Sequence, residues 1–249
     1  MKKTLLLTLA LAAALAHGET FDAPHVGADD KQVVLGGAGV ALTPEVARLH
    51  EQAGQLLLAG KAREALPLLN QAIAQYEKYF AADPRQRYAA SGNVETMLYL
   101  VMAANEGKAA YIIDPRWAEL YFLRAYAHNE LGDLAAGKAD LDALLALRPD
   151  NAQALNERGY YYQREKNWQA AAADFEKAAE SSQLIEEPAV RQKMSAAAQR
   201  GLAFTLTERG RWQEAEAIYQ KLLKEDPQDE RSRHELEYIR QQRAKHPQI

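Results

Sequence analysis

The chain has 249 residues, no cysteine and a formal net charge of −4, from 30 basic and 34 acidic side chains. The absence of cysteine excludes disulfide scaffolds, thiolate metal sites, cysteine nucleophiles and a lipid anchor on cysteine. The slightly acidic balance argues against a nucleic-acid-binding protein, which normally carries a basic face. A hydrophobic content of 48% and a charged content of 26% are typical of a folded globular chain.

The first 16 residues have the pattern of a secretory signal peptide. The basic start Lys2-Lys3 is followed by an apolar run from Thr4 to Ala16, rich in leucine and alanine and too short to cross a bilayer. The run ends in small residues, so cleavage is expected after residue 16 or residue 18. We therefore expect export, with the bacterial periplasm as the destination and no integral membrane segment after signal cleavage.

Residues 17–43 interrupt the apolar periodicity and are expected to form a flexible lead-in. Within it, Val33–Leu35 is expected either to form a short strand or to dock loosely. The glycine-rich run at residues 36–39 lacks the Lys-Ser/Thr that follows a phosphate-binding loop. From Thr43 and Pro44 onward the apolar residues recur at helical spacing, with Thr43 as the predicted N-cap and Pro44 at the first helical position.

Apolar and small residues recur with a period of 34 residues. Leu141 recurs as Phe175 after 34 residues and as Tyr219 after a further 44, which is one period plus a ten-residue insertion. Ala65 lies 72 residues before Gly137, and we interpret this spacing as two periods plus four residues. A fixed period of this size indicates stacked supersecondary units, none of which can bury its own apolar face alone.

The residues in this frame resemble the tetratricopeptide repeat. The clearest unit carries Gly159, Ala171 and Phe175 at the positions where that repeat has its small and large apolar residues. The resemblance covers roughly residues 46–229 and implies an all-α fold, an α-solenoid of about five helix-turn-helix repeats. The units are expected near residues 46–79, 84–117, 118–151, 152–185 and 196–229.

Two segments of the predicted solenoid, which spans residues 44–245, depart from the regular repeat. In residues 84–117, Ser91-Gly92-Asn93 falls where the first helix should be continuous, so we interpret this unit as a degenerate copy. Residues 229–245 form a charged helix with a narrow apolar stripe. Such a stripe is expected of a capping helix that docks on one face and is solvated on the other.

The resemblance also implies where a partner would bind. In this family the first helix of each unit, helix A, lines a concave groove through positions 2, 5, 9, 12 and 13 of the repeat. Aromatic side chains interleaved with amides suit an extended or helical peptide. An alternative is that these rings only support helix packing or face a docked lead-in. The predicted groove residues are Tyr88, Glu119, Phe122, Tyr126, Asn129, Asn156, Tyr160, Gln163, Arg164, Arg200 and Phe204.

No catalytic motif accompanies the repeats. The six histidines include no pair at the three- or four-residue spacing that would share a metal ion on a helix, and no nucleophile or phosphate-loop motif is present. We therefore expect no catalytic residues, no metal and no cofactor.

The expected function is a non-enzymatic scaffold or adaptor for a protein or peptide partner, in cell-envelope assembly or secretion. The alternative is a self-associating structural protein, a homo-oligomer. In that case Trp117, Tyr121 or the apolar run Met97–Met102 would pack between protomers, although that run also fits a core.

Overall fold

The computed structural model describes residues 25–26, 33–34 and 42–245. Within these residues the fold is all-α in character, a helical repeat with four short strands. The chain divides into two compact units, residues 1–149 and 150–249, and each is described here by itself. The predicted signal peptide and most of the predicted lead-in lie outside the described residues. No helix in the described ranges has the length and apolar content needed to cross a membrane.

The first unit begins with a helical hairpin, α1 (Pro44–Leu58) and α2 (Ala62–Phe80). The Thr43 hydroxyl accepts a hydrogen bond from the Val46 amide at 3.3 Å, and Pro44 occupies the first turn, which confirms the predicted helix start. The turn between the two helices places Gly60 at a φ of +73°, where a side chain would be strained.

A strand–helix–strand segment follows this hairpin. It consists of β3 (Gln86–Ala89), α3 (Asn93–Asn105) and β4 (Ala110–Ile113), and the two strands are parallel. Two strands from the lead-in extend the sheet, because β1 (His25–Val26) pairs antiparallel with β4 and β2 (Val33–Val34) pairs antiparallel with β1. The sheet order is therefore β2-β1-β4-β3, and β2 is the short strand expected near Val33.

The prediction of a degenerate helical repeat at residues 84–117 is wrong. Strands β3 and β4 have only four residues each, and all four residues of β4 are buried, so the sequence shows no alternation that would reveal a strand. Helix α2 packs directly on the helix that follows the segment. The 72-residue spacing from Ala65 to Gly137 is therefore one repeat step plus an insertion.

The second hairpin of the first unit is α4 (Arg116–Glu130) and α5 (Leu134–Leu147). It packs on α2 through aromatic rings: the Tyr76 ring lies 4.9 Å from that of Trp117 and 6.1 Å from that of Tyr121, between ring centroids. Trp117 and Tyr121 are only 2% and 7% exposed. Neither side chain is therefore available to pack between protomers, contrary to one alternative considered above.

The second unit contains two further hairpins and a final helix. Its helices are α6 (Ala152–Arg164), α7 (Trp168–Ser181), α8 (Pro188–Glu208), α9 (Trp212–Glu225) and α10 (Glu230–Lys245). Asn151 and Asn167 cap α6 and α7 by accepting hydrogen bonds from the amides of Ala154 and Ala170. A short 3₁₀ turn at Ser182–Leu184 and the lengthened α8 accommodate the ten-residue insertion.

The ring of Phe175 is the centre of the core in this unit. Phe175 is fully buried, and a Cβ atom added at Gly159 on α6 or at Gly201 on α8 would lie only 2.8 or 2.3 Å from it. Positions 159 and 201 therefore require glycine, because the ring of Phe175 fills the space that a side chain there would occupy.

An ion pair recurs between the two helices of a hairpin. Arg124 on α4 makes a bidentate contact with Asp140 on α5, at 2.6 to 3.0 Å, and Arg158 on α6 does the same with Asp174 on α7, at 2.7 to 2.8 Å. Each residue of the second pair lies 34 positions after its counterpart in the first. In this planar geometry the ion pair orients the first helix against the second in each of these two hairpins.

Helix α10 caps the second unit on one face, as expected. Leu236 and Ile239 are buried against α8 and α9, whereas most of its other side chains are exposed. Asp229 anchors its start: the carboxylate accepts hydrogen bonds from the amide and the hydroxyl of Ser232, at 3.2 and 2.7 Å, and from Arg200 on α8 at 2.9 Å.

The packing of Phe175 predicts that Gly201→Ala destabilises the protein, although alanine favours helices. Overpacking a core costs about 1–3 kcal/mol, which exceeds the gain in helix propensity of at most about 1 kcal/mol. Chemical denaturation should show a lower free energy of unfolding, and adding Phe175→Leu to Gly201→Ala should cost less than Phe175→Leu alone. The exposed Gln192→Ala on the same helix should change the free energy by less than about 0.5 kcal/mol. Additive effects of the two core changes would contradict this account.

The anchor of α10 predicts a pH-dependent stability. Burial opposes ionisation of Asp229, but the hydrogen bonds from Ser232 and Arg200 outweigh it and lower the pKa of the carboxyl group. Its contribution is therefore present above the unfolded-state pKa of about 3.9 and is lost as the pH falls through the lower folded-state pKa.

Asp229→Asn should accordingly lower the free energy of unfolding by about 1–2 kcal/mol at neutral pH, with a smaller difference from the wild type near pH 3. Thermal unfolding at both pH values measures this, with the exposed Glu225→Gln on α9 as the control. A difference that is unchanged between the two pH values would show that the carboxylate does not act through its charge.

Candidate partner-binding surface

In the first unit, two of the predicted groove residues are buried. Tyr88 lies on β3 rather than on a first helix, is 4% exposed and stacks on Tyr99 with a centroid distance of 5.1 Å. The assignment of Tyr88 to the groove is therefore wrong, because the helical unit that was to present it does not exist. Tyr126 is on α4 as expected, but it is 7% exposed and serves the core.

The other three predicted residues of α4 remain at least partly accessible. Phe122 is half-buried and Asn129 is exposed. The Glu119 carboxylate lies 3.2 Å from Nε2 of His50 on α1, and the side chain of Glu119 retains 20% of its exposure. This surface of the first unit therefore offers one ring and one amide to a partner.

In the second unit, three of the predicted polar residues are engaged in packing between successive helices. The Asn156 amide donates to the Met194 carbonyl at 3.4 Å, and the Gln163 amide donates to the Gly201 carbonyl at 2.9 Å. Arg200 donates to Asp229, as described above. The expectation that Asn156 and Gln163 would bind a partner's backbone is not supported, because their amides already bond α8.

The remaining predicted residues of this unit are accessible. Tyr160 is 38% exposed, and its ring meets that of Phe175 edge-on at a centroid distance of 5.2 Å. Arg164, one turn further along α6, is exposed, and Phe204 on α8 is half-buried. Packing on the core thus holds the Tyr160 ring in place while leaving part of its surface free.

Sequence analysis missed two residues that belong to the same surface. Tyr238 on α10 is 46% exposed and lies 34 positions after Phe204, and Arg231 lies on the same helix face as Tyr238. The repeat frame extended by one helix would have found both. They were overlooked because α10 was interpreted only as a cap.

Tyr160, Phe204 and Tyr238 occupy equivalent positions on α6, α8 and α10, and we call them the aromatic row. Helix α8 packs on both α6 and α10. Because equivalent positions of adjacent first helices face the same way, the three rings belong to one surface of the second unit.

Charged side chains of both signs accompany the aromatic row. Burial and the nearby Glu157 raise the pKa of Tyr160, whereas Arg200 and Arg231 act in the opposite direction. Acidic side chains lie on the same helix faces: Glu235 precedes Tyr238 by three positions, Glu208 follows Phe204 by four, and burial and the neighbouring Glu208 raise the pKa of Glu235.

The described residues offer no evident metal centre. Within residues 42–245, no three His, Asp or Glu side chains converge in a way that could hold a metal ion. The groups near the aromatic row whose pKa values are shifted are the tyrosine Tyr160 and the glutamate Glu235, both on a helical surface.

Comparisons with known proteins give consistent results for the fold. Family models described as tetratricopeptide repeats match residues 118–151 and 162–236. Comparison with curated proteins finds no match.

Several solved structures are similar along most of the chain. A MamA RS-1 ArsTM double mutant is 16% identical, with a TM-score of 0.56, over 83% of this chain and 89% of its own. MamA 41-end from Desulfovibrio magneticus RS-1 is 15% identical, with the same TM-score, over 83% and 90%. A putative kinesin light chain from Podosopora anserina with nearly identical TPR-like repeats is 19% identical, with a TM-score of 0.53, over 83% and 91%.

At these identities the likeness concerns the fold alone. The two family matches nevertheless fall on the hairpin α4–α5 and on the helices from the end of α6 to the middle of α10, where the 34-residue frame places its units. Together with the helical-repeat architecture shared with the solved structures, they identify the chain as a tetratricopeptide-repeat protein.

Proposed function

We propose that this protein is a non-enzymatic scaffold of the bacterial periplasm that binds a protein or peptide partner on the aromatic row of its second unit. Tetratricopeptide-repeat folds generally mediate protein–protein interactions, and this supports a binding role for the chain. The setting we propose is the assembly or secretion machinery of the cell envelope.

One observation carries the proposal: three aromatic rings are partly exposed at equivalent positions of α6, α8 and α10, with arginines beside them. Rings that are held by the core but open on one side present apolar area at little cost in conformational entropy, and tyrosine and arginine are enriched among the residues that dominate binding energy. Tyr160 meets this description most closely, because its ring packs edge-on against the buried ring of Phe175.

The chemistry of this surface indicates the kind of segment that would bind. Apolar or aromatic anchors of a partner would pack on the rings, and a carboxylate of the partner would pair with Arg164 or Arg231, both of which are exposed. The amides of Asn156 and Gln163 are already used within the protein, so specificity would come from rings and charges rather than from amide contacts with the partner's backbone.

Truncating two rings of the aromatic row together with the adjacent Arg164 should weaken partner binding while leaving the fold intact. We expect Tyr160→Ala, Arg164→Ala and Tyr238→Ala combined to weaken binding by at least about tenfold, because truncating a buried anchor typically costs over 1 kcal/mol. Affinity capture from periplasmic extract, followed by titration with the identified partner, measures this.

The matched control combines Leu58→Ala, Arg63→Ala and Tyr79→Ala, which are exposed positions of the first unit. The control should bind like the wild type, and circular dichroism should show that both variants are folded. A partner retained equally by all three proteins would contradict the assignment of binding to the aromatic row.

Export makes a separate prediction. When the full chain is expressed in a bacterium, the periplasmic fraction should contain a protein that begins at His17 or Glu19, as read by mass spectrometry. Leu9→Arg should retain the uncleaved chain in the cytoplasm, because a charge in the apolar run opposes insertion. The control is Thr43→Ala, which lies outside the run. An uncleaved, cytoplasmic wild-type chain would contradict the periplasmic location.

A further inference from the structure

Helix α3 of the inserted segment is apolar on two opposite faces. Its inner face packs on the sheet through Tyr99, Leu100 and Ala103, all of them fully buried. Its outer face carries four large apolar side chains that are 64%, 44%, 36% and 43% exposed: Val94, Met97, Leu98 and Val101. We call these four residues the outer stripe.

The spacing of the outer stripe matches that of a helix that packs on another helix. Positions i, i+3, i+4 and i+7 lie on one side of an α-helix over two turns. Single exposed apolar residues are ordinary, but a contiguous apolar patch normally marks an interaction surface. The run Met97–Met102, which sequence analysis considered both as core and as a contact between protomers, is in fact divided between the two faces.

Charge on α3 does not favour a charged partner. The only charged residue in the helix is Glu95, whose carboxylate accepts hydrogen bonds from Arg148 at 2.7 Å and from the Ser91 amide at 2.7 Å. Because this carboxylate is already paired within the first unit, it neither attracts a basic partner nor repels a second copy of the same helix.

The outer stripe is self-complementary. The spacing of its four positions is symmetric about the midpoint between Met97 and Leu98, with a valine at each end and two unbranched or γ-branched apolar side chains, methionine and leucine, in the middle. When two copies of α3 cross antiparallel about a two-fold axis at this midpoint, Val94 of each meets Val101 of the other. Met97 of each meets Leu98 of the other. A two-fold interface requires such a match, because both copies use the same patch.

We propose that the outer stripe is the contact between two copies of this chain, packed antiparallel along α3. This contact is independent of the proposed binding at the aromatic row, which lies in the second unit. The stripe exposes on the order of a few hundred Å², below the roughly 800 Å² per partner of a stable interface. The dimer should therefore be weak and should form as the protein concentration rises.

Charge exchange across the two-fold axis tests the proposal directly. One variant carries Val94→Glu and Val101→Glu, and the other carries Val94→Lys and Val101→Lys. Each alone places like charges opposite one another and should be monomeric, whereas an equimolar mixture places opposite charges together and should form a heterodimer. Sedimentation velocity over a range of concentrations, with one variant fluorescently labelled, measures both.

The matched control is Val190→Glu, an exposed valine in the second unit, which should dimerise like the wild type. In this cysteine-free chain, a mixture of Val94→Cys and Val101→Cys should also form a disulfide-linked dimer under mild oxidation, and a mixture of Val94→Cys and Val190→Cys should not. Both charge variants should retain wild-type thermal unfolding, since the two altered positions, 94 and 101, are exposed.

Three results would overturn the proposal. If the wild-type chain is monomeric at every concentration, the outer stripe does not bind a second copy, and its binding partner is residues 17–24 or another protein. A dimer that persists in both charge variants would place the contact elsewhere. Loss of the dimer in each variant without recovery in the mixture would exclude the antiparallel arrangement. Partner binding at the aromatic row is measured separately, so either hypothesis can fail alone.

Discussion

The close approach of helices around the ring of Phe175 is the constraint on which the second unit depends. Only glycine leaves room for the ring at positions 159 and 201, so the ring fixes the spacing of α6 and α8 at once. With these helices side by side, their equivalent positions face one surface. The same ring supports Tyr160 edge-on, and this contact links the packing of the repeat to the surface proposed for binding.

The helical hairpins could be predicted because their signal is repeated. Three signals agree: the 34-residue period, capping residues such as Thr43, and a ring opposite small residues. The local sequence pattern of these hairpins is therefore consistent with how the helices pack. The inserted β3-α3-β4 segment could not be predicted in this way. Its strands are too short to show a period. Strand β3 pairs with β4, and β4 also pairs with β1, whose two residues lie far away in the sequence.

The candidate site was only partly predictable, for a different reason. The repeat frame correctly locates helix positions, but it does not say whether a polar side chain there is free or already bonded to a neighbour. Asn156 is bonded to the N-terminal part of α8 that exceeds an ordinary first helix, and Gln163 is bonded because α8 passes close to α6. Tyr238 was missed because a charged composition concealed a repeat position at the end of the array.

The two units thus carry different kinds of surface. The second unit presents rings and arginines on regular repeat helices, whereas the first carries an apolar helix on an insertion that interrupts the array. An adaptor that binds a partner with one unit and a second copy of itself with the other would present two partner-binding surfaces in each dimer, which would strengthen binding to a partner that carries two matching segments.

Site-specific photo-crosslinking in living cells tests the central claim most directly. A photoreactive phenylalanine analogue replaces Tyr160 in one strain and the exposed Tyr79 of the first unit in another, and crosslinked products are identified by mass spectrometry. The account predicts a discrete crosslink to an envelope polypeptide from position 160 and none to that polypeptide from position 79. The same crosslink from both positions, or from position 79 alone, would contradict binding at the aromatic row.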